Sequence, residues 1–152
     1  PDQEQEVVAW MGTLNRLAAE IMRQCEPSAC TDVTGFGLVG HASEMANGAG
    51  VTVHLQLDAI PLMGGVMEQI ADGMVPAGCY QNRSFYLGSV KADALPEDRL
   101  LPLFDPQTSG GLLIALSPLQ AERFAEMAAQ QGVFCHVIGE ILPRGDHAVL
   151  LT

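Results

Sequence analysis

The sequence contains no uninterrupted apolar run of the roughly 18 residues that a transmembrane helix requires. Its first six residues, Pro-Asp-Gln-Glu-Gln-Glu, are polar and acidic, whereas a secretory signal has a basic start and an apolar stretch. An initiator Met is also absent, which suggests a fragment of a longer protein. We therefore expect a cytoplasmic protein with no membrane partner. Its 152 residues, 48 % of them apolar, are enough for a single domain with its own core, residues 1–152.

Basic residues are scarce. Seven Lys and Arg residues stand against 18 Asp and Glu residues, which gives a formal net charge of −11. Binding of nucleic acid through phosphate neutralisation needs a basic stripe, and the sequence has none, so we expect no nucleic-acid partner. A phosphate-bearing ligand would have to be attracted by metal ions, by helix amino-termini or by a partner domain.

Cysteines are few and scattered along the chain. Cys25, Cys30, Cys79 and Cys135 form no Cys-x-x-Cys pair and have no clustered His residues beside them. Structural zinc sites draw on such close-spaced pairs, so the spacing argues against zinc. A disulfide framework is typical of small secreted domains that cannot build an apolar core, which this chain can. We expect reduced thiols that are mostly buried.

Apolar periodicity predicts helices interleaved with strands. One helix is predicted at residues 5–23, where Trp10, Leu14, Leu17 and Ile21 form a stripe. Further helices are predicted from residue 38 to a stop at residues 47–48, at residues 65–72, and from a Ser117–Gln120 capping box to Gly132; strands are predicted at residues 29–33, 51–57, 111–116, 133–142 and 148–151, the last two joined by a turn, and residues 73–105 are predicted to be rich in loops. The continuous apolar run at 111–116 predicts a strand covered on both faces. The order predicts an α+β (mixed α/β) fold, a mixed β-sheet flanked by helices in layers.

Residues 31–37, Thr-Asp-Val-Thr-Gly-Phe-Gly, form the first candidate site. Asp32 ends a predicted strand and offers a hard oxygen ligand that suits Mg²⁺. Gly35 and Gly37 let the backbone approach a ligand closely, and the following helix presents unpaired N–H groups to an anion. The alternative is structural: Asp32 or Thr34 caps the helix while the glycines make the turn.

Residues 104–113, Phe-Asp-Pro-Gln-Thr-Ser-Gly-Gly-Leu-Leu, form the second candidate site. Gln107, Thr108 and Ser109 offer hydrogen-bonding groups on a loop that leads directly into a buried strand, and binding residues are often found on loops held in this way. Gly110 and Gly111 could admit a ligand or a neighbouring backbone. The alternative is a tight connection with no ligand.

Both segments resemble signatures of the selenophosphate synthetases. Residues 29–41, Ala-Cys-Thr-Asp-Val-Thr-Gly-Phe-Gly-Leu-Val-Gly-His, resemble the start of the carboxy-terminal half of these enzymes, and residues 104–112 resemble their later signature. Residues 14–18 resemble the segment that opens that half, whereas residues 79–83 fit less closely. Aminoimidazole ribonucleotide synthetase, hydrogenase-maturation and thiamine-phosphate enzymes carry a similar turn. The full Thr-Gly-Phe-Gly and Asp-Pro-Gln-Thr-Ser-Gly-Gly runs favour the selenium enzymes.

The resemblance implies an ATP-dependent enzyme that makes selenophosphate from selenide, ATP and water, with release of AMP and phosphate. It implies a two-domain, homodimeric protein in which this chain packs on an amino-terminal domain and Mg²⁺ bridges the ATP phosphates between them. Asp32 matches the metal-binding aspartate contributed from this half. The cofactor-binding residues would be Thr34, Gly35, Gly37, Gln107, Thr108, Ser109 and Gly110.

The family's reactive Cys or selenocysteine and its other metal-binding aspartates would lie in the amino-terminal half, so we expect no catalytic residue in this chain and no activity from it alone. Two other functions stay open. One is a different ATP-dependent enzyme of the same superfamily, a synthetase or a small-molecule kinase. The other is a non-catalytic binding module with this fold.

Overall fold

A computed structural model describes residues 2–92 and 95–152 of the chain. The helices are α1 (Asp2–Gly12), α2 (Arg16–Met22), α3 (Gly37–Ala49), α4 (Val66–Ala71), α5 (Ala77–Tyr86), α6 (Glu97–Leu100) and α7 (Pro118–Gln130). The strands are β1 (Ala29–Asp32), β2 (Val51–Leu55), β3 (Val90–Lys91), β4 (Leu112–Ala115), β5 (Gly139–Pro143) and β6 (Val149–Leu151). Short 3₁₀ helices lie at Leu57–Ala59, Leu87–Ser89 and Leu101–Phe104. No helix within the described ranges is long and apolar enough to cross a membrane.

The strands form two sheets. Helices are combined with parallel and antiparallel strand pairs, which confirms the predicted α+β (mixed α/β) class. The larger sheet has the order β3-β6-β2-β5, in which β6 runs parallel to β3 and β2 while β5 runs antiparallel to β2. In the smaller sheet, β1 and β4 pair antiparallel, and Asp32 lies opposite Leu112. The turn after β5 leads to β6 as predicted, but β2 lies between these two strands in the sheet. Residues 133–138, at the start of the strand predicted at 133–142, are not part of a strand.

Two apolar clusters hold the layers together. The larger one joins α3 to the four-stranded sheet and to the 3₁₀ helix Leu101–Phe104, where Phe104 is completely buried. The smaller one joins α2 to α7 through Ile21 and Phe124. Leu113 packs on the first cluster and its neighbour Ile114 on the second. Because successive strand residues point to opposite faces, β4 is covered on both sides, which confirms the prediction for its apolar run.

The helix predicted at residues 5–23 is wrong as a single element, because the chain leaves the helical path between α1 and α2. Leu14, a member of the predicted stripe, is 79 % exposed, and only Ile21 of that stripe is fully buried. The Thr13 hydroxyl donates to the carbonyl of Ala9, and the Asn15 side chain donates to the distant carbonyl of Gly110. Hydroxyl and amide side chains that bond to backbone in this way compete with helix continuation.

Three further predictions differ from the structure. The predicted loop-rich stretch contains α5, β3 and α6, with residues 93 and 94 outside the described residues. Helix α3 continues past residues 47–48 to Ala49, and Gly50, with a positive φ of 67°, makes the left-handed cap after it. Ser117 precedes α7, but its side chain makes no capping hydrogen bond, so the capping box does not form.

The start of α3 depends on a glycine. Gly37 has φ of 71°, and a Cβ placed there would lie 2.8 Å from the backbone carbonyl carbon of Phe104. Gly48 in the same helix is exposed, and a Cβ placed there would meet nothing within 4 Å.

We expect the substitution Gly37→Ala to lower the free energy of unfolding by about 1–3 kcal/mol, because it adds backbone strain and a steric clash. The matched control Gly48→Ala should raise it by about 0.5–1 kcal/mol, because alanine is the better residue in a helix. Urea unfolding followed by circular dichroism measures both. Equal effects of the two substitutions would contradict the close packing of α3 on Phe104.

Candidate phosphate and metal site

Pairing of β1 with β4 brings the two predicted segments, residues 31–37 and 104–113, into direct contact. The N–H of Val33 donates to the carbonyl of Gly111 at 2.9 Å, which extends the ladder beyond Asp32. The N–H of Gln107 then donates to the carbonyl of Thr34 at 3.1 Å. The two segments therefore form one unit at the end of the small sheet.

Glycines stand where the two backbones come closest. A Cβ on Gly110 would overlap the carbonyl oxygen of Val33, and a Cβ on Gly37 would press on Phe104. The space at these two positions is thus filled by the protein's own backbone. Gly35 differs, because it is exposed and a Cβ there would meet nothing within 4 Å. Of the three glycines, Gly35 is the one with open space for a ligand.

Asp32 lies at the exposed end of β1. Cys30 is two residues earlier on the same face of the strand, and the partial burial of its thiol together with the nearby charge of Asp32 raises its pKa. Within residues 2–92 and 95–152, no group of three or more His, Cys, Asp or Glu side chains could hold a metal ion. Asp32 is thus not part of a preformed cluster of ligands among the described residues, and a metal ion bound at its carboxylate would need further ligands from elsewhere.

The turn after Asp32 leads into α3 at Gly37. The carbonyl of Thr34 accepts the N–H of Gly37 at 3.0 Å, which closes the turn. In the described part of the chain, no backbone hydrogen bond uses the N–H of Gly35 or of Phe36, and both residues are exposed. Unpaired N–H groups at a helix start attract anions, because they are donors at the positive end of the helix dipole.

The loop from Gln107 to Gly110 lies beside this turn. Gln107 is half-buried, Thr108 and Ser109 are exposed, and Gly110 is buried. Within the described ranges, the hydroxyls of Thr108 and Ser109 make no hydrogen bond with the protein. These two side chains have free donors and acceptors next to the segment that carries Asp32.

Two asparagines that the sequence analysis did not single out clamp the unit. The Asn82 side-chain nitrogen donates to the carbonyl oxygens of Gly35 and Phe104, each at 2.9 Å, so one amide bridges both segments. Asn15 donates to the carbonyl of Gly110 at 3.0 Å. A signal for Asn82 exists in the sequence: it shares a helix face with Cys79 and Tyr86, both buried, and a polar residue on a buried face needs partners.

A thiol anchors the start of the second segment. Cys79 of α5 donates to a carboxylate oxygen of Asp105 at 3.3 Å. Burial raises the pKa of Cys79 to about 12, with a further contribution from the hydrogen bond and charge of Asp105. Burial also raises the pKa of Asp105, and the bond from Cys79 offsets part of that rise. The thiol stays protonated at neutral pH, so this contact is structural.

We expect Asn82→Ala to lower the free energy of unfolding by about 1–3 kcal/mol, because two hydrogen bonds to carbonyls are lost. The isosteric change Asn82→Asp should cost more, since a carboxylate cannot donate and would face two carbonyl oxygens. Urea unfolding at pH 7 compares them. An Asp variant as stable as the wild type would show that the two bonds are not formed.

We expect Cys30, which is exposed, to react with a thiol reagent at pH 8 much faster than Cys79 in the folded chain, because only the thiolate reacts and Cys79 is buried and protonated. Mass spectrometry of peptides after timed labelling measures the two rates, and Cys30→Ser should remove the fast reaction. Unfolding in urea should make the two rates similar. Labelling of Cys79 as fast as that of Cys30 without urea would contradict the Cys79–Asp105 contact.

Comparison with known proteins connects this unit to a family. Residues 2–152 match the family model described as AIR synthase related protein, C-terminal domain. The chain is 61 % identical over 151 residues to a selenide, water dikinase of Trichlorobacter lovleyi, covering 99 % of the chain and 44 % of the relative. It is 57 % identical over 152 residues to the enzyme of that name from Geobacter metallireducens, covering 100 % of the chain and 44 % of the relative.

A more distant relative of the same name, from Pseudomonas putida, is 41 % identical over 140 residues, covering 92 % of the chain and 40 % of that protein. The chain thus spans less than half the length of the curated relatives it matches. Selenide, water dikinase is another name for selenophosphate synthetase, so the resemblance found in residues 29–41 and 104–112 is confirmed. The match over residues 2–152 shows that the chain belongs to the AIR synthase related protein, C-terminal domain family.

Proposed function

We propose that residues 1–152 are the carboxy-terminal domain of a selenophosphate synthetase, which makes selenophosphate from selenide, ATP and water and releases AMP and phosphate. The observation that carries the proposal is the single unit made by residues 31–37 and 104–113. It combines an exposed carboxylate, free backbone N–H groups and free hydroxyls, and it is built from the two segments that resemble the family's signatures. The names of the similar proteins support the same reaction.

In this proposal, the domain contacts Mg-ATP mainly through the metal and through backbone N–H groups. The formal net charge of −11 disfavours direct contact with phosphates, whereas Mg²⁺ lets a carboxylate such as Asp32 approach them. Bound Mg²⁺ would neutralise the charge that develops on the transferring phosphoryl group. The residues present fit one side of such a complex, because a single carboxylate and an open helix start leave the remaining ligands to phosphates, water and a partner domain.

The seven residues proposed to bind the cofactor divide into two groups by exposure. Gly35, Thr108 and Ser109 are exposed, so they would contact phosphates or metal-bound water directly. Thr34, Gly37, Gln107 and Gly110 are partly or fully buried and bonded or packed within the unit, so they would fix its shape.

The length of the relatives indicates what else the full-length protein contains. Because the chain spans 44 % of them, we propose that an amino-terminal domain supplies the nucleophile and the other metal ligands. The full-length protein would be a cytoplasmic homodimer with ATP and selenide as substrates, and this chain alone would be inactive. A second candidate is another ATP-dependent enzyme of the same family, a synthetase or a small-molecule kinase, because the matching family model is not specific for selenide.

The test measures AMP release from Mg-ATP by the full-length protein, with and without selenide. We expect selenide-dependent AMP formation that falls by about 100-fold in Asp32→Asn, since a metal ligand is lost. The matched control is Asp72→Asn, an exposed aspartate at the end of α4, which should leave the rate unchanged.

Each other outcome has a definite meaning. Turnover that does not depend on selenide would assign the chain to a sister enzyme of the family. Full activity of Asp32→Asn with an unchanged fold would leave Asp32 without a role in metal binding. Selenide-dependent ATP hydrolysis by the isolated chain would contradict the need for a second domain.

A further inference from the structure

Thr34 is one of the residues that connect the two segments of the unit. Its carbonyl accepts the N–H of Gly37 at 3.0 Å and the N–H of Gln107 at 3.1 Å. Its own N–H and hydroxyl both lie against one atom, the Nε2 of His41, at 3.0 Å and 3.2 Å. Every polar group of Thr34 is therefore within hydrogen-bonding distance of a partner, and two of the four contacts are made by a single imidazole nitrogen.

The chemistry of these contacts fixes the state of His41. A backbone N–H can only donate, so Nε2 must present its lone pair and the ring proton must be on Nδ1. The Thr34 hydroxyl beside the same nitrogen can also only donate to it.

Packing holds the imidazole in this position. The His41 ring lies beside the ring of Phe36, with centroids 5.3 Å apart and planes 34° apart, and Phe36 in turn lies beside Tyr86. Phe36 belongs to the turn whose free N–H groups are at the start of α3. His41 thus touches this turn at both ends, at Thr34 by hydrogen bonds and at Phe36 by its ring.

We propose that His41 is a positioning residue for phosphate binding: its neutral imidazole accepts from Thr34 and so holds the turn that presents the N–H groups of Gly35 and Phe36. The binding part of this inference rests on the proposed function. The hydrogen-bonding part, with Nδ1 protonated and Nε2 accepting, depends on the geometry alone. If His41 served only the stability of the fold, binding of Mg-ATP would not depend on a hydrogen-bond acceptor at the position of Nε2.

The first experiment tests the hydrogen bonds without any ligand. Long-range ¹H–¹⁵N spectra of the chain at pH 7, with ¹⁵N-labelled histidine, report which ring nitrogen carries the proton. We expect His41, assigned by its loss in His41→Gln, to show a protonated Nδ1 and a bare Nε2. A protonated Nε2, in either the neutral or the charged ring, would overturn the inference.

The second experiment uses the full-length protein and two amide variants. The side-chain oxygen of His41→Gln reaches about as far as Nε2 and can accept, whereas that of His41→Asn ends near the position of Nδ1 and cannot reach Thr34. Calorimetric binding of Mg-ATP and the KM and kcat of AMP release are measured, with unfolding midpoints as a check on stability.

We expect His41→Asn to raise the Kd and KM for Mg-ATP by about 10-fold, of the order of one lost hydrogen bond. His41→Gln should restore them to within about 3-fold, with kcat little changed in either. Equal Kd values for the two variants would overturn the role in phosphate binding, whether both are weakened or neither is. If the wild type binds Mg-ATP but shows no selenide dependence, the proposed reaction fails while this inference is still tested by binding and by the ring spectra.

Discussion

The close approach of two backbone segments, residues 31–37 and 104–113, is the constraint on which the rest of the site depends. Gly37 lies on the backbone of Phe104, and Gly110 lies against the carbonyl of Val33, so neither position has room for a side chain. Because each glycine belongs to one segment and packs on the other, neither segment can hold its shape alone. The small β1–β4 sheet supplies the register, and the covered faces of β4 hold that sheet between two apolar clusters.

Side chains from three other places reinforce this contact, and each either donates a hydrogen bond to a backbone carbonyl or accepts one from Thr34. Asn82 comes from α5, Asn15 from the break between α1 and α2, and His41 from the first turns of α3. They pair with backbone groups inside the unit, whereas the carboxylate of Asp32, the amides of Gly35 and Phe36 and the hydroxyls of Thr108 and Ser109 belong to exposed residues. In this way an acidic domain can approach a phosphate group without basic side chains. Backbone N–H groups would donate to the phosphate, and a carboxylate would bind the metal ion that accompanies it.

Local patterns in the sequence predicted the parts of this arrangement that depend on near neighbours. Strand β1, the start of α3, helix α4 and the doubly covered strand β4 were predicted at nearly their observed positions, because periodicity and turn residues specify them. The break at Asn15 was missed because its cause is a carbonyl 95 residues away. Helix α5 was missed because its buried face consists of Cys79, Asn82 and Tyr86, and the polar middle residue hides the period. The metal and phosphate roles of the site residues were inferred from their chemistry and from the resemblance, and they stay predictions.

The central claim is that the two segments act together in holding the phosphates of Mg-ATP. Hydrogen–deuterium exchange of the full-length protein, with and without Mg-ATP, tests it most directly because exchange reports on backbone amides. We expect peptides that cover residues 33–37 and 107–111 to become protected together when the nucleotide binds, while the turn at residues 144–148 exchanges as before. Protection of one segment without the other, or of neither, would contradict a shared site.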